Sequence, residues 1–270
     1  MSGPRYFAAL YRTLTRTGIA LQIQYRASNV IWMLGGIIEP VIYLVVWSTV
    51  AREQGGNADG WTPADFAAYY VTLMFVNHLT FAWVMHVFQF RIQQGELSFA
   101  LLRPIHPIHS DIADNLGFKL VMLVVLIPAA LVVAWTFEPR WNAGLADILA
   151  FVPALILAFA VRFLTEWSLA LAAFWTTRVT AVNNVYFTAL IFLSGRVAPI
   201  DMLPGWLQTV SASLPFYWMV AFPVEVMLGR VPPSELATGF ATQLAWIAAA
   251  LGLLSLVWNR AVRRFGAVGG

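Results

Sequence analysis

Arg162 and Glu166 stand four residues apart in a long apolar run, so a helix puts both on one face, and Glu39 falls near the middle of another such run. An unpaired charge at the centre of a membrane-crossing helix costs about 2.5–3.5 kcal/mol on insertion scales. Pairing is the cheap solution, and these residue types predict an ion pair of Arg162 with Glu166 or with Glu39. Such a network serves either a polar step in a transport path or the packing of helices, and spacing does not separate the two. The histidines offer less. His78 and His86 are too far apart for a two-histidine metal clamp at i, i+4, and no H-E-x-x-H occurs. His106 and His109 flank Pro107 without close acidic or cysteine company, so they read as polar loop residues and no metal site is predicted. The chain has no cysteine, which excludes disulfide, iron–sulfur and thiolate–metal chemistry. It also lacks G-x-x-x-x-G-K-[ST]. It is therefore not expected to be an enzyme by itself or to bind a cofactor; any ATP and Mg it depends on would sit on a separate subunit.

The elements that carry these residues are membrane spans. Of 270 residues, 60% are hydrophobic and 11% charged, against about 45–50% and about 25% for a soluble domain. The predicted class is an all-α integral membrane protein with six spans. They run from about Val30 to Val50, Phe66 to Val87, Leu120 to Phe137, Ile148 to Trp175, Val179 to Ser194 and Phe240 to Trp258. Lys119 is expected at the mouth of the third, and Asp111 as a helix cap before it. Residues 1–28 form an N-terminal segment whose amphipathic helix sets Arg5, Arg12 and Arg16 against Phe7, Leu10, Leu14 and Leu21, a pattern suited to the lipid headgroup plane. Ile19 and Ile23 drift onto the arginine side, which predicts a bend near Gly18 or protein packing there. Residues 29–270 form one six-span domain.

The net charge of +3 matters only through its distribution. Six crossings put Arg5, Arg12, Arg16, Arg26, Arg91, Arg103, Lys119, Arg178, Arg260, Arg263 and Arg264 on one side, with Arg52, Arg140, Arg196 and Arg230 on the other. By the positive-inside rule the first side is the cytoplasm, and both termini lie there. The apolar stretch from Pro199 to Pro233 is broken by prolines into two helices of about ten residues, too short to cross. A seventh crossing would also move the C-terminal arginines outside. The stretch reads as a re-entrant or surface pair of outer helices, with Trp206 suited to the interface.

Between the second and third spans lies Gln89 to Ser110, QFRIQQGELSFALLRPIHPIHS. Phe88 to Leu102 reads as one helix, with Phe88, Ile92, Phe99 and Leu102 on a recurring face, ended by Pro104 and Pro107. A helix projecting into the cytoplasm suits a soluble partner; a connector lying on lipid would have the same spacing.

The pattern Ile92, Gly95, Leu97, Leu101, Leu102, Arg103, Pro104 resembles the cytoplasmic loop after the second span of bacterial ABC exporter permeases of the type-2 class. A second likeness covers Phe192 to Gly229, where Ser194-Gly195 is followed by Pro199, by Leu203-Pro204-Gly205-Trp206-Leu207 and by Leu214-Pro215-Phe216. The resemblance spans essentially the whole chain. It implies a permease subunit of an ATP-driven exporter in the bacterial inner membrane, working with ABC ATPase subunits and a second permease, identical or related. The N-terminal helix would be an interfacial elbow, and about 88–103 a coupling helix, with Arg91, Ile92, Gly95, Glu96, Phe99, Arg103 and Pro104 at the ATPase. Gly195, Pro199, Pro204, Trp206 and Pro215 would shape the outer gate. The alternatives are a secondary transporter with Glu39 and Glu166 as ion sites, or an assembly factor that transports nothing. The substrate is not legible.

Overall fold

The computed structural model describes residues 3–176 and 179–264. Arg178 and residues 265–270, part of the expected cytoplasmic charge and tail, lie outside them. Helix α1 (Pro4–Gln24) leads through Tyr25 into α2 (Arg26–Glu53). Then come α3 (Pro63–Thr80), α4 (Val84–Gln93) and α5 (Glu96–Leu101). Two long helices follow: α6 (Pro107–Phe137) and α7 (Leu145–Ala170), the second prolonged by a 3-10 turn, Leu171–Phe174. After α8 (Val179–Leu193) the chain makes a 3-10 turn at Ile200–Met202, then α9 (Gly205–Ser213), α10 (Pro215–Met219), α11 (Ala221–Met227) and finally α12 (Pro233–Arg264). Among the described residues there is no β-strand, only a bridge between Ala58 and Trp61.

Length and composition qualify five stretches to cross a membrane: Arg26–Glu53, Pro63–Gln93, Pro107–Phe137, Leu145–Phe174 and Pro233–Arg263. The expected fifth span differs. Helix α8 has 15 residues, about 22 Å at 1.5 Å per residue, against a hydrocarbon core of about 30 Å. Residues 199–233, expected as an outer pair of helices, hold three short helices rather than two, the longest of 9 residues, and none is long enough to cross.

The molecule is apolar on both its inside and its outside. Helix α3 is buried around most of its circumference, with Phe66, Tyr69, Tyr70 and Leu73 fully enclosed, so it is the central element. Helices α2, α6, α7 and α12 turn large apolar side chains outward, among them Ile31, Trp135, Leu149 and Leu256. In water such a surface would drive association; in lipid it is the solvated face.

Local chemistry sets the helix starts. Thr62 and Asp65 form a capping box at α3: the Asp65 amide donates to Thr62 Oγ1 at 3.2 Å and the Thr62 amide to Asp65 Oδ2 at 3.0 Å, with Pro63 in the first turn. Helix α6 begins at Pro107, well before the expected Leu120, because a proline at the first position lacks only an amide that would go unpaired there. Its cap is His106, whose Nδ1 accepts from the Ile108 amide at 3.2 Å. Asp111 therefore does not cap the helix; it lies inside the first turns, buried.

Helix α1 crosses α6 at two glycines. A Cβ on Gly117 would stand 3.0 Å from the backbone of Gly18 and Ile19, and one on Gly18 3.3 Å from the Asp114 Cα. The drift of Ile19 thus reflects packing against protein, whereas Ile23 is exposed. Backbone cannot yield as a side-chain tip can, so Gly117→Val should destabilise by about 1–3 kcal/mol through overpacking. Gly252→Val, in open space on α12, carries the same change in helix propensity. The check is the thermal unfolding midpoint of both variants: a clear drop for Gly117 and a small one for Gly252.

Candidate functional site

A cavity of about 620 Å³ lies among α1, α2, the α3–α4 unit, α6, α7 and α8. Its walls are helical stripes. On α6, Asp111, Asp114, Asn115 and Phe118 recur at three- and four-residue spacing. On α4, Val84, Val87 and Arg91 do the same, and on α2 the stripe includes Asn29, Trp32, Gly36 and Glu39.

The second span is not continuous. Between α3 and α4 the chain leaves the helix at Phe81–Trp83. Non-helical backbone at membrane depth is tolerated where protein covers it or where it lines a cavity. Both hold here: Ala82 is buried, and Phe81 and Trp83 line the cavity. The Lys119 ammonium donates to the Phe81 carbonyl at 2.6 Å and to Asn115 Oδ1 at 3.3 Å. His78 Nε2 donates in turn to the Lys119 carbonyl at 3.0 Å. Lys119 is thus no mouth residue but a buried prop for the break, and it lies 4.6 Å from the Phe159 ring centre.

Beside the break sits the charged network. Arg162 and Glu166 are both 0% exposed. Arg162 Nε donates to Glu166 Oε1 at 3.0 Å, and its Nη1 donates to Asn77 Oδ1 at 3.0 Å and Thr80 Oγ1 at 3.2 Å. Tyr186 of α8 donates to the same Glu166 oxygen at 3.1 Å. One arginine therefore ties α7 to the last turn of α3, and one glutamate ties α7 to α8. Glu39 does not belong to this network. It accepts from Arg196, which follows α8. That partner is 157 positions away in the chain, which no local spacing discloses.

The chain after α8 is latched to α2 and α3. Tyr69 donates to the Gly195 carbonyl at 2.7 Å. Tyr70 and Trp47 both donate to the Val197 carbonyl, at 2.8 and 2.7 Å. Trp61 donates to the Asp201 carboxylate, and the Arg230 guanidinium lies over the Trp61 ring. Gly195 has a positive φ of 83°, and a Cβ there would meet the Tyr69 hydroxyl at 2.5 Å. Pro199 precedes the 3-10 turn, Pro204 precedes α9, and Pro215 opens α10. Trp206 is exposed on α9.

Toward the other end, the helix expected over Phe88 to Leu102 is two helices parted at Gln94 and Gly95, the glycine at φ 70°. Phe88 and Leu97 are buried, Ile92 is partly so, and Glu96, Arg103 and Pro104 are exposed. Phe99 and Leu102 are 72% and 82% exposed. Arg91, expected to face a partner, bonds instead to Asp111 and lines the cavity. Asp111 also accepts from Trp167 Nε1 at 2.9 Å.

Apolar spans, a broken helix beside a cavity, buried ion pairs and an exposed connector thus occur together in this chain. The family model for ABC-2 family transporter proteins matches residues 37–269. The chain belongs to the ABC-2 transporter family. No curated protein matches it closely enough to add to this. This ABC-2 protein is thus a multi-pass membrane component of a transporter, a permease of the kind that associates with ABC ATPase subunits.

Proposed function

We propose that this permease is half of the membrane path of an ATP-driven exporter in the bacterial inner membrane. A second permease, identical or related, faces it, and separate ABC ATPase subunits hold the ATP and Mg. The chain then crosses six times, with α8 as a short crossing joined to the outer segment, which dips in from the outer side. Residues 1–28 act as the interfacial elbow and 29–270 as the permease domain. Both termini are cytoplasmic.

The observation that carries this reading is α5. It stands on the side where charge asymmetry puts the cytoplasm, and it offers Phe99 and Leu102 to the surroundings beside Glu96 and Arg103. An apolar pair on a charged connector suits a groove on a soluble subunit. The run of chain from α5 back through α4 to the break links that subunit to the cavity and, through α3, to the outer latch. ATP-driven closure would move α4 and α5 against α3 and so alternate the cavity's exposure. The ion pairs of Glu39 with Arg196 and of Glu166 with Arg162 favour this over proton cycling, because arginine stays charged at any working pH.

Two measurements test the reading. A tagged chain purified from its own membranes in mild detergent should bring an ABC ATPase with it; a folded chain that brings none contradicts the proposal. Single cysteines at Gly56, Ala143 and Ser234 should react with an impermeant thiol reagent in intact cells, and one at Ser110 should not. Labelling at Ser110 from outside would reverse the orientation.

A further inference from the structure

The ion pairs around the cavity leave one lining carboxylate without a partner. Three arginines line it, and each already bonds a carboxylate: Arg91 with Asp111, Arg162 with Glu166 and Arg196 with Glu39. Lys119, the other cation nearby, does not line the cavity; its ammonium is held by the Phe81 carbonyl and Asn115. Asp114 lines the cavity with no ion pair and no hydrogen bond among the described residues. The Asn115 amide beside it is engaged elsewhere, its Nδ2 donating to the Asp111 carbonyl at 2.9 Å. A carboxylate in a partly enclosed, low-dielectric cleft attracts a counter-charge far more strongly than one in water.

The same cavity has aromatic walls. Trp32 and Trp83 meet edge to face with ring centres 4.7 Å apart, and Trp83 stacks on His86 at 4.9 Å. Phe81, Phe118 and Phe187 complete that lining. Aromatic faces attract organic cations through the ring quadrupole and accept apolar bodies by area burial. The volume falls in the range that takes a drug-sized molecule, about 300–1,000 Å³.

From this we infer that the cavity takes an organic cation with an aromatic or otherwise apolar body, and that Asp114 is the counter-charge selecting it. The inference rests on the permease reading for its physiological sense, since such a cation would be the exported solute. It commits to the sign of the charge. With every lining arginine paired internally, an anion would find no uncommitted cation on the lining and would meet Asp114 as a repulsive group.

The test uses the purified full-length permease in lipid nanodiscs, with empty nanodiscs as background. The probes are tetraphenylphosphonium and tetraphenylborate, of similar size and opposite charge. Wild type should bind the phosphonium saturably and the borate at least tenfold more weakly. Asp114→Asn should weaken phosphonium binding tenfold or more, while Asp114→Glu should keep most of it. Equal or tighter binding of the borate, no saturable phosphonium binding, or wild-type affinity in Asp114→Asn would each overturn the inference. If Asp114→Asn does not fold, the selectivity of wild type between the two probes still decides. ATPase copurification is measured on the same preparation. A chain that binds the phosphonium and recovers no ATPase defeats the permease reading and leaves the cation site standing. One that recovers the ATPase and fails to discriminate defeats the cation site alone.

Discussion

Replacing Arg162 by alanine is expected to destabilise the permease by about 3–5 kcal/mol, the usual cost of breaking a buried ion pair from one side. The cost has three sources here. Glu166 loses its ion-pair partner, Asn77 and Thr80 lose their donor, and the last turn of α3 loses its tie to α7 beside the break. Glu166 is poorly placed to absorb the change. Among the described residues its second oxygen, Oε2, has no hydrogen-bond partner, and only Tyr186 would remain on the first. Adding Glu166→Gln removes the stranded charge, so the double variant should recover part of the loss. In a double-mutant cycle of thermal stability, coupling between 162 and 166 should exceed about 1 kcal/mol. Coupling between 162 and Glu39 should be near zero, since Glu39 bonds Arg196 instead. Strong coupling to Glu39 and none to Glu166 would mean the two arginines have exchanged partners in the membrane.

That cycle also marks where sequence reasoning stops. The long spans were legible from apolar runs and their terminal arginines, because lipid imposes both. Arg162 and Glu166 were legible as candidate partners because one helical turn brings them together whatever else packs nearby. Glu39 and Arg196 were not, because tertiary packing alone brings α2 against the chain after α8. The break at Phe81–Trp83 was hidden for a different reason. It contains no proline or glycine, and it persists because Lys119, from another helix, covers the freed Phe81 carbonyl. The same contact explains why Lys119 is buried and not at the membrane mouth. Helix α8 reads as a short span from apolar content, and the latch after it lies beyond any local pattern, because Tyr69, Tyr70 and Trp47 donate to carbonyls more than 120 positions away. Asp114, which reads in sequence as serving the same helix start as Asp111, stands out only once the ion pairs around it are assigned.

The second large effect is expected at α5. If Phe99 and Leu102 seat in the ATPase subunit, truncating both to alanine removes two apolar anchors, each with an expected contribution of about 1.5–3 kcal/mol when buried. Phe99→Ala with Leu102→Ala should therefore reduce ATPase copurification by tenfold or more. The thermal midpoint of the permease should stay unchanged, because neither side chain packs within the chain. Glu96→Lys should weaken association by reversing a charge at the rim, to a smaller and salt-dependent extent. Gly95→Trp should act differently. The site has open space around it but a φ of 70° that tryptophan adopts poorly, so it should re-aim α5 and separate ATP hydrolysis from transport.

The most direct measurement is site-specific crosslinking in native membranes. The chain contains no cysteine, so a single cysteine in place of Phe99 is the only thiol it presents. A short bifunctional reagent should join that position to an ABC ATPase subunit, and a cysteine in place of Asn57, in the connection before α3, should yield no such product. An ATPase adduct at 99 and none at 57 is the result the account predicts. No ATPase adduct at 99 from a folded, membrane-inserted chain, or an adduct at 57, would contradict it.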